Sequence, residues 1–409
     1  MNRKLIFVYN KSISLQILML ILIRIFKQFM YMKNIFLVLL FVVLCSGSCE
    51  KQHEVIRSFC YWKTDLYFQK EEDSLMNELD VKHLYVRFFD IDWNPYSKEP
   101  LPVATIRDIS LNKNNPEITP SIFITNEVVL QSDRKQLDSL AMQIVKRVHQ
   151  IGHKINETKA QSLAYGIVYP ENNPNRKEVK LLSFDSVKSA ELGKLKVNFK
   201  EILIDCDWSE KSKENYFYLL QKIKKGFPSS KVSATIRLWQ YKYAEKAGIP
   251  PVDKGLLMCY NITKPEDFQT KNSIGTSEEL EQYITHDQYK LKLDIALPLY
   301  SWAVLFRGNT FKGILSDYDQ LMNDTIKLKK SSSNKYLLQD DVLVGQTYLR
   351  NGDEIRIEKI SDDELDKMIS IIKNKIQIDN QTRVTFFSFD KKYIHDYGTQ
   401  NISEYYARF

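Results

Sequence analysis

The stretch EILIDCDW, residues 201–208, sets three consecutive apolar residues, Ile202 to Ile204, ahead of two aspartates that alternate with Cys206 and Trp208. A run apolar on both faces suits a strand covered on both sides, the environment of a parallel sheet. Strand alternation then puts Asp205, Asp207 and Ser209 on one face and Ile204, Cys206 and Trp208 on the other. Working outward, Lys213–Lys225 reads as a helix ended by Gly226-Phe227-Pro228. Lys231–Trp239 and Gly255–Asn261 read as strands, and Ser277–Tyr289 as a helix. A further strand opens within Lys292–Leu305, and Lys329–Lys335 is a surface loop. Ser361-Asp-Asp-Glu364 is a capping box for a helix through Ile376, and Arg383–Phe389 is the last apolar strand.

Upstream, Phe59–Thr64 is strand-like, Glu71–Leu79 a short acidic helix, and His83–Trp93 a long strand running into a proline-containing loop. Thr119–Thr125 is a strand, and Gln136–Ile151 an amphipathic helix with apolar positions 137, 140, 141, 144, 145 and 148. Within 155–195 only the loop YPENNPNRK is assigned. About eight strands, most followed by helices, fit a single (β/α)₈ barrel with insertions spanning about 56–409. A doubly wound open sheet is the alternative, but no GxGxxG or Walker loop supports nucleotide binding.

The 409 residues are 44% hydrophobic and 27% charged, ordinary for a globular chain and too polar for a multi-span membrane protein. The formal net charge is +7. Residues 1–48 hold six cations and no acid, which leaves only +1 for 49–409 and no basic surface for nucleic acid. Residues 32–49, MKNIFLVLLFVVLCSGSC, have the charged start, apolar run and small-residue end of a secretory signal. Ser46-Gly47-Ser48-Cys49 resembles a bacterial lipobox, with Ser46 where leucine is usual. The expected mature chain starts at Cys49, the lipid anchor, followed by a tether over 49–55. Met32 is the expected true start, because it opens a complete signal by itself. Glu50 favours the outer membrane within the cell envelope. Of the remaining cysteines, Cys60, Cys206 and Cys259 sit in apolar runs and are expected as buried thiols. Neither they nor the six scattered histidines have the spacing of a metal site, and no cofactor is expected.

In a barrel, function belongs at the C-terminal strand ends. The polar and aromatic residues expected there include Trp62, Arg87, Asp90, Asp92, Asp205, Asp207, Arg237, Trp239, Tyr260, Asn261, Tyr300 and Trp302. Tryptophans among carboxylates suit a sugar, whose apolar faces stack on rings while its hydroxyls meet charged acceptors. Paired carboxylates on one face also raise one another's pKa, which serves acid–base work.

Three segments resemble family 18 glycoside hydrolases, the chitinase family. Leu203–Trp208 is similar to that family's DxxDxDxE strand, Leu257–Asn261 to its MxYD strand, and Ala296–Ser301 to its GxPxYG strand. The resemblance covers about residues 200–305. It implies a (β/α)₈ barrel that cleaves N-acetylglucosamine polymers with help from the substrate's acetamido group. It also implies catalytic or gripping roles for Asp205, Asp207 and Tyr260. The departures bear on mechanism: Ser209 stands where the family has its acid, Ile202 where it has its first aspartate, and Asn261 at the MxYD aspartate. Glu210 replaces the acid only if a bulge turns it inward. No SxGG strand is present near 119–126. The chain also resembles Bacteroides-type lipoproteins that carry YVRFFD and IDCDW patterns. The expectation is therefore a lipid-anchored, glycan-binding barrel with little or no chitinase activity. The alternatives are an active glycosidase with an unusual carboxylate pair drawn from Asp90, Asp92, Asp205, Asp207 and Glu210, and a structural lipoprotein whose mouth is filled by the Asp90–Arg107 loop.

Overall fold

The computed structural model describes residue 19 and residues 54–409 apart from 108, 111–115, 170–182, 286–288, 317 and 323–327. The leader, Cys49 and most of the 169–177 loop therefore lie outside the described residues. Residues 53–409 form one compact unit.

Eight parallel strands close on themselves. They are β1 (Ile56–Tyr61), β2 (His83–Asn94), β3 (Glu117–Ile124), β4 (Glu201–Asp205), β5 (Lys231–Arg237), β6 (Lys254–Met258), β7 (Leu293–Pro298) and β8 (Arg383–Phe387). Each pairs with its neighbours in chain order, and β1 pairs with both β2 and β8, which completes the ring. The fold is a (β/α)₈ barrel. Its outer helices include α1 (Lys70–Glu78), α2 (Arg134–Val168), α3 (Lys213–Gly226), α4 (Ser277–Tyr283), α5 (Asp362–Lys375) and α6 (Thr399–Ala407).

Alternation along β4 explains its two faces. Ile202 and Ile204 are fully buried against the helices, where Tyr216 of α3 donates its hydroxyl to the Ile204 carbonyl. Trp208 continues that side, stacked on Tyr216 with ring centroids 5.1 Å apart. Burying each such aliphatic side chain contributes about 1.5–3 kcal/mol. The opposite face points along the barrel axis. At its N-terminal end Arg383 donates to Glu201 at 2.6 Å, and Asp294 accepts from the Tyr85 hydroxyl at 2.8 Å and pairs with Lys254. His83 sits between the Ser58 and Thr119 hydroxyls, 2.8 Å from each, and burial holds its pKa well below the ordinary histidine value. This polar floor satisfies its own charges and lies at the end of a barrel that serves stability.

Several sequence expectations need correction. Strands β4, β5 and β6 stop at Asp205, Arg237 and Met258, two or three residues short of the expected ends. Trp239 belongs to the short helix Leu238–Lys242, not to a strand. Residues 292–305 hold two elements: β7, and after it Ser301–Arg307, the start of an inserted antiparallel sheet. That sheet joins strands 310–315, 301–307, 354–359, 335–338 and 328–330, and has its own core around Leu305, Leu338, Leu349 and Ile355. Lys329–Lys335 is accordingly the turn of a hairpin with short strands on both sides. At α5 the expected capping box is half made. The Ser361 hydroxyl accepts from Glu364 N, but the Glu364 carboxylate caps Ser277 N at the start of α4 instead.

Candidate functional site

The C-terminal mouth is built from the residues that follow the apolar part of each strand. On β2 the pairing with β3 skips Phe88: Arg87 faces Ser121, whereas Phe89 faces Ile122. This bulge inserts one residue, so Arg87 and Asp90 both point to the axis although three positions separate them. They form a two-pronged pair, with Arg87 Nε 2.7 Å from Asp90 Oδ1, and the guanidinium lies 5.9 Å from the Trp62 ring centre. Asp92 is engaged differently. It accepts from the Thr125 hydroxyl and from Trp93 N, both at 2.8 Å, which ties β2 to the end of β3.

Across the mouth, Arg237 donates Nε and Nη2 to the two oxygens of Asp207. Asp207 keeps 41% of its side chain exposed, and Arg237 26%. Below them Asp205 is buried and accepts from the Thr235 hydroxyl at 2.8 Å. Burial first, and the Asp207 charge second, push its carboxyl up to about 7, so it holds a proton up to near-neutral pH. Thr235 was not among the expected site residues, although its place two residues before Arg237 on the same strand face identifies it.

An aromatic wall closes the other side. Tyr260 packs 5.3 Å from Phe387 and 6.1 Å from Tyr300, and Trp62 lies 5.7 Å from Phe387. Phe387, at the end of β8, was missed because a phenylalanine beside Phe386 in a strand reads as core rather than as a site residue. Burial raises the hydroxyl pKa of Tyr260 and Tyr300 well above the tyrosine value. Tyr300 donates to Asn261 Oδ1 at 2.5 Å, and Asn261 adopts φ +53°, a left-handed conformation that asparagine tolerates. Trp302 stands 5.2 Å from Tyr300 and donates Nε1 to Glu358 of the inserted sheet at 2.7 Å. Glu358 also accepts from Ser273 N, and its buried partner Arg356 donates to the Pro265 and Asp267 carbonyls. The insertion thus clamps the loop after β6 and fixes Trp302.

Asp205, Asp207, Arg237, Tyr260, Asn261 and Tyr300 all come from the C-terminal ends of β4 to β7. Two expected residues, Glu210 and Trp239, stand apart from them. Glu210 is exposed in the turn leading to α3, and no bulge rotates it inward. Ser209 lies past the end of β4, so the expected alternation does not reach it. Its hydroxyl is 3.3 Å from that of Ser212, which donates to Asn126 Oδ1 at 2.5 Å. These bonds organise the start of α3. Trp239 is half-buried in its helix. The Asp90–Arg107 segment forms a hairpin whose strand Glu99–Thr105 runs antiparallel to the end of β2. The three cysteines are buried free thiols, and burial raises Cys60 to about 12.

No protein-family model matches the chain, and no curated protein does. Solved structures similar to it include the spore cortex-lytic enzyme SleL of Bacillus cereus, with 12% identity, 87% of this chain and 75% of that chain covered, and TM-score 0.41. A chitinase from Bacteroides thetaiotaomicron is similar at 11% identity, 86% and 96% coverage and TM-score 0.41. Concanavalin B follows at 10% identity, 87% and 100% coverage and TM-score 0.36. The barrel is established by its own strand pairing, and likeness at this level adds nothing to the assignment of a site.

Proposed function

We propose that the chain is a saccharide-binding barrel, with a glycoside hydrolase-like mouth and little or no chitinase activity. The observation that carries this reading is the composition of the mouth. Half-exposed Trp62 lies by the Arg87–Asp90 fork and half-exposed Trp302 beside Tyr300, with a second fork at Arg237–Asp207, while Ser209, where the resemblance would put an acid, bonds to Ser212. Rings take the apolar faces of a sugar, and the forks offer donors and acceptors to its hydroxyls in a fixed geometry. Cleavage of a glycosidic bond needs a proton delivered to the leaving oxygen, and losing that acid costs about 10²–10⁴-fold in rate. Asp205 favours the alternative, an active glycosidase, because it carries a proton near neutral pH. Its burial and its bond to Thr235 keep it below the surface that a substrate touches.

The chain is further proposed to be exported and lipid-anchored through Cys49 in the cell envelope, at the outer membrane. Support for this comes from the signal-like run over 32–49 alone. A glycan array probed with the full chain tests the binding reading. Selective retention of one glycan class, weakened about two- to tenfold by Trp62→Ala, is the expected outcome. Retention of none, or binding indifferent to Trp62→Ala and Trp302→Ala together, rejects it.

A further inference from the structure

A groove of about 780 Å³ lies on the outer wall, away from the mouth, between the outward face of β2, the strand Glu99–Thr105 and α2. The bulge at Phe88 creates its floor. Past the bulge, Phe89 and Ile91 turn away from the axis and meet Leu140 and Ile144 of α2. Its lip is the free edge of Glu99–Thr105, where Val103 is 63% exposed. Pro100 and Pro102 on that strand lack N–H groups, so the edge is a poor template for another strand and the groove stays open.

The rim is cationic. Arg107, Lys146 and Arg147 line it, and among the described residues no carboxylate does. Among the described residues none of the three is in an ion pair, whereas Arg87, Arg237, Arg307, Arg356 and Arg383 all are. Arg147 is steadied beside the groove by a 3.1 Å bond from Nη2 to the Thr105 hydroxyl, a neutral partner, and pairs with no carboxylate among the described residues. An apolar floor under unpaired cations complements a ligand with one anionic head and an apolar body. The volume falls within the range of small-molecule sites, about 300–1,000 Å³. A concave channel suits a single chain better than a flat bilayer surface.

From this charge complementarity we infer that the groove binds a single-chain anionic amphiphile. The carboxylate or phosphate head sits at Arg107, Lys146 and Arg147, and an unbranched chain lies over Phe89, Ile91, Leu140 and Ile144. The inference stands independently of saccharide binding at the mouth.

Calorimetric titration of the full chain with octanoate, decanoate and laurate, each below its micelle concentration, tests it. One saturable site is expected, with affinity rising by up to about fourfold per added methylene until the groove is filled. The exposed double change Lys146→Glu with Arg147→Glu is expected to weaken laurate about tenfold or more without altering the circular dichroism spectrum. Val103→Asp is expected to act in the same direction, and Lys290→Glu, on the opposite end of the barrel, to change nothing. Uncharged 1-decanol binding as well as decanoate would overturn the inference, as would laurate binding unchanged by the charge reversal. Failure of laurate to saturate, with an acidic apolar peptide binding in its place, would overturn it in favour of a peptide groove.

Discussion

Replacing Asp205 by Asn removes the one carboxyl at the mouth that burial keeps protonated, and its effect on stability has a defined sign and size. The folded-state value of about 7 stands about three units above the ordinary 3.8. Each unit corresponds to 1.36 kcal/mol, so the total is on the order of 4 kcal/mol. Between those two values the native chain holds a proton that the unfolded chain has released, and stability therefore falls as pH rises. The contribution is fully present below about pH 4 and is lost as pH passes through about 7. Asparagine keeps an oxygen to accept from Thr235 and has no such titration. His83 acts oppositely, since a buried neutral histidine loses stability as pH falls, but it is common to both chains and cancels in the difference. Urea unfolding of both chains from pH 4 to pH 8 is the assay. Relative to Asp205→Asn, the unmodified chain should lose roughly 4 kcal/mol across that range. A pH-independent difference, or one that grows in the other direction, would refute the burial argument and the placement of Asp205 beneath Asp207.

Three further outcomes are expected. Arg383→Met strips the cation from Glu201 and Asp294 at the barrel floor and should cost about 3–5 kcal/mol, read as a lower urea midpoint at unchanged slope. Glu358→Gln weakens the acceptor for Ser273 N and Trp302 Nε1 and removes the charge facing Arg356, so a loss of about 2–3 kcal/mol is expected. It should also change the Trp302 fluorescence, whereas an unchanged spectrum would mean that the insertion does not hold the mouth. Palmitate labelling is expected to persist in a chain begun at Met32 and to vanish with Cys49→Ala.

The barrel was legible because consecutive apolar residues such as Ile202-Leu203-Ile204 leave little face for water, and five such runs, in β1, β2, β3, β6 and β7, recur along the chain. Strand ends were not, because the aspartates and aromatics after Asp205, Arg237 and Met258 alternate as a strand does while forming no ladder bonds. The insertion was hidden for a related reason: SWAVLFR continues the apolar character of β7 and reads as one strand with it. A signal was nevertheless present at Gly308-Asn309, where both residues have positive φ (54° and 62°) and turn the hairpin. The bulge at Phe88 leaves no mark in composition, so the pairing of Arg87 with Asp90 emerged only from register. The floor charges were equally invisible, since Arg383 and Glu201 meet across 182 positions. Ser209 was singled out from the sequence, but its bond to Ser212 depends on where β4 stops and was not legible there.

The central claim, that the mouth holds a saccharide without cleaving it, is tested most directly by following one bound glycan over time. The full chain is mixed with an N-acetylglucosamine oligomer, retention is measured, and the oligomer is then recovered and weighed by mass spectrometry. The account expects the oligomer to be retained, released by Asp207→Ala with Arg237→Ala, and recovered at its original length. Shorter products formed by the unmodified chain and abolished by Asp205→Asn or Asp207→Asn would contradict it and establish an active glycosidase instead.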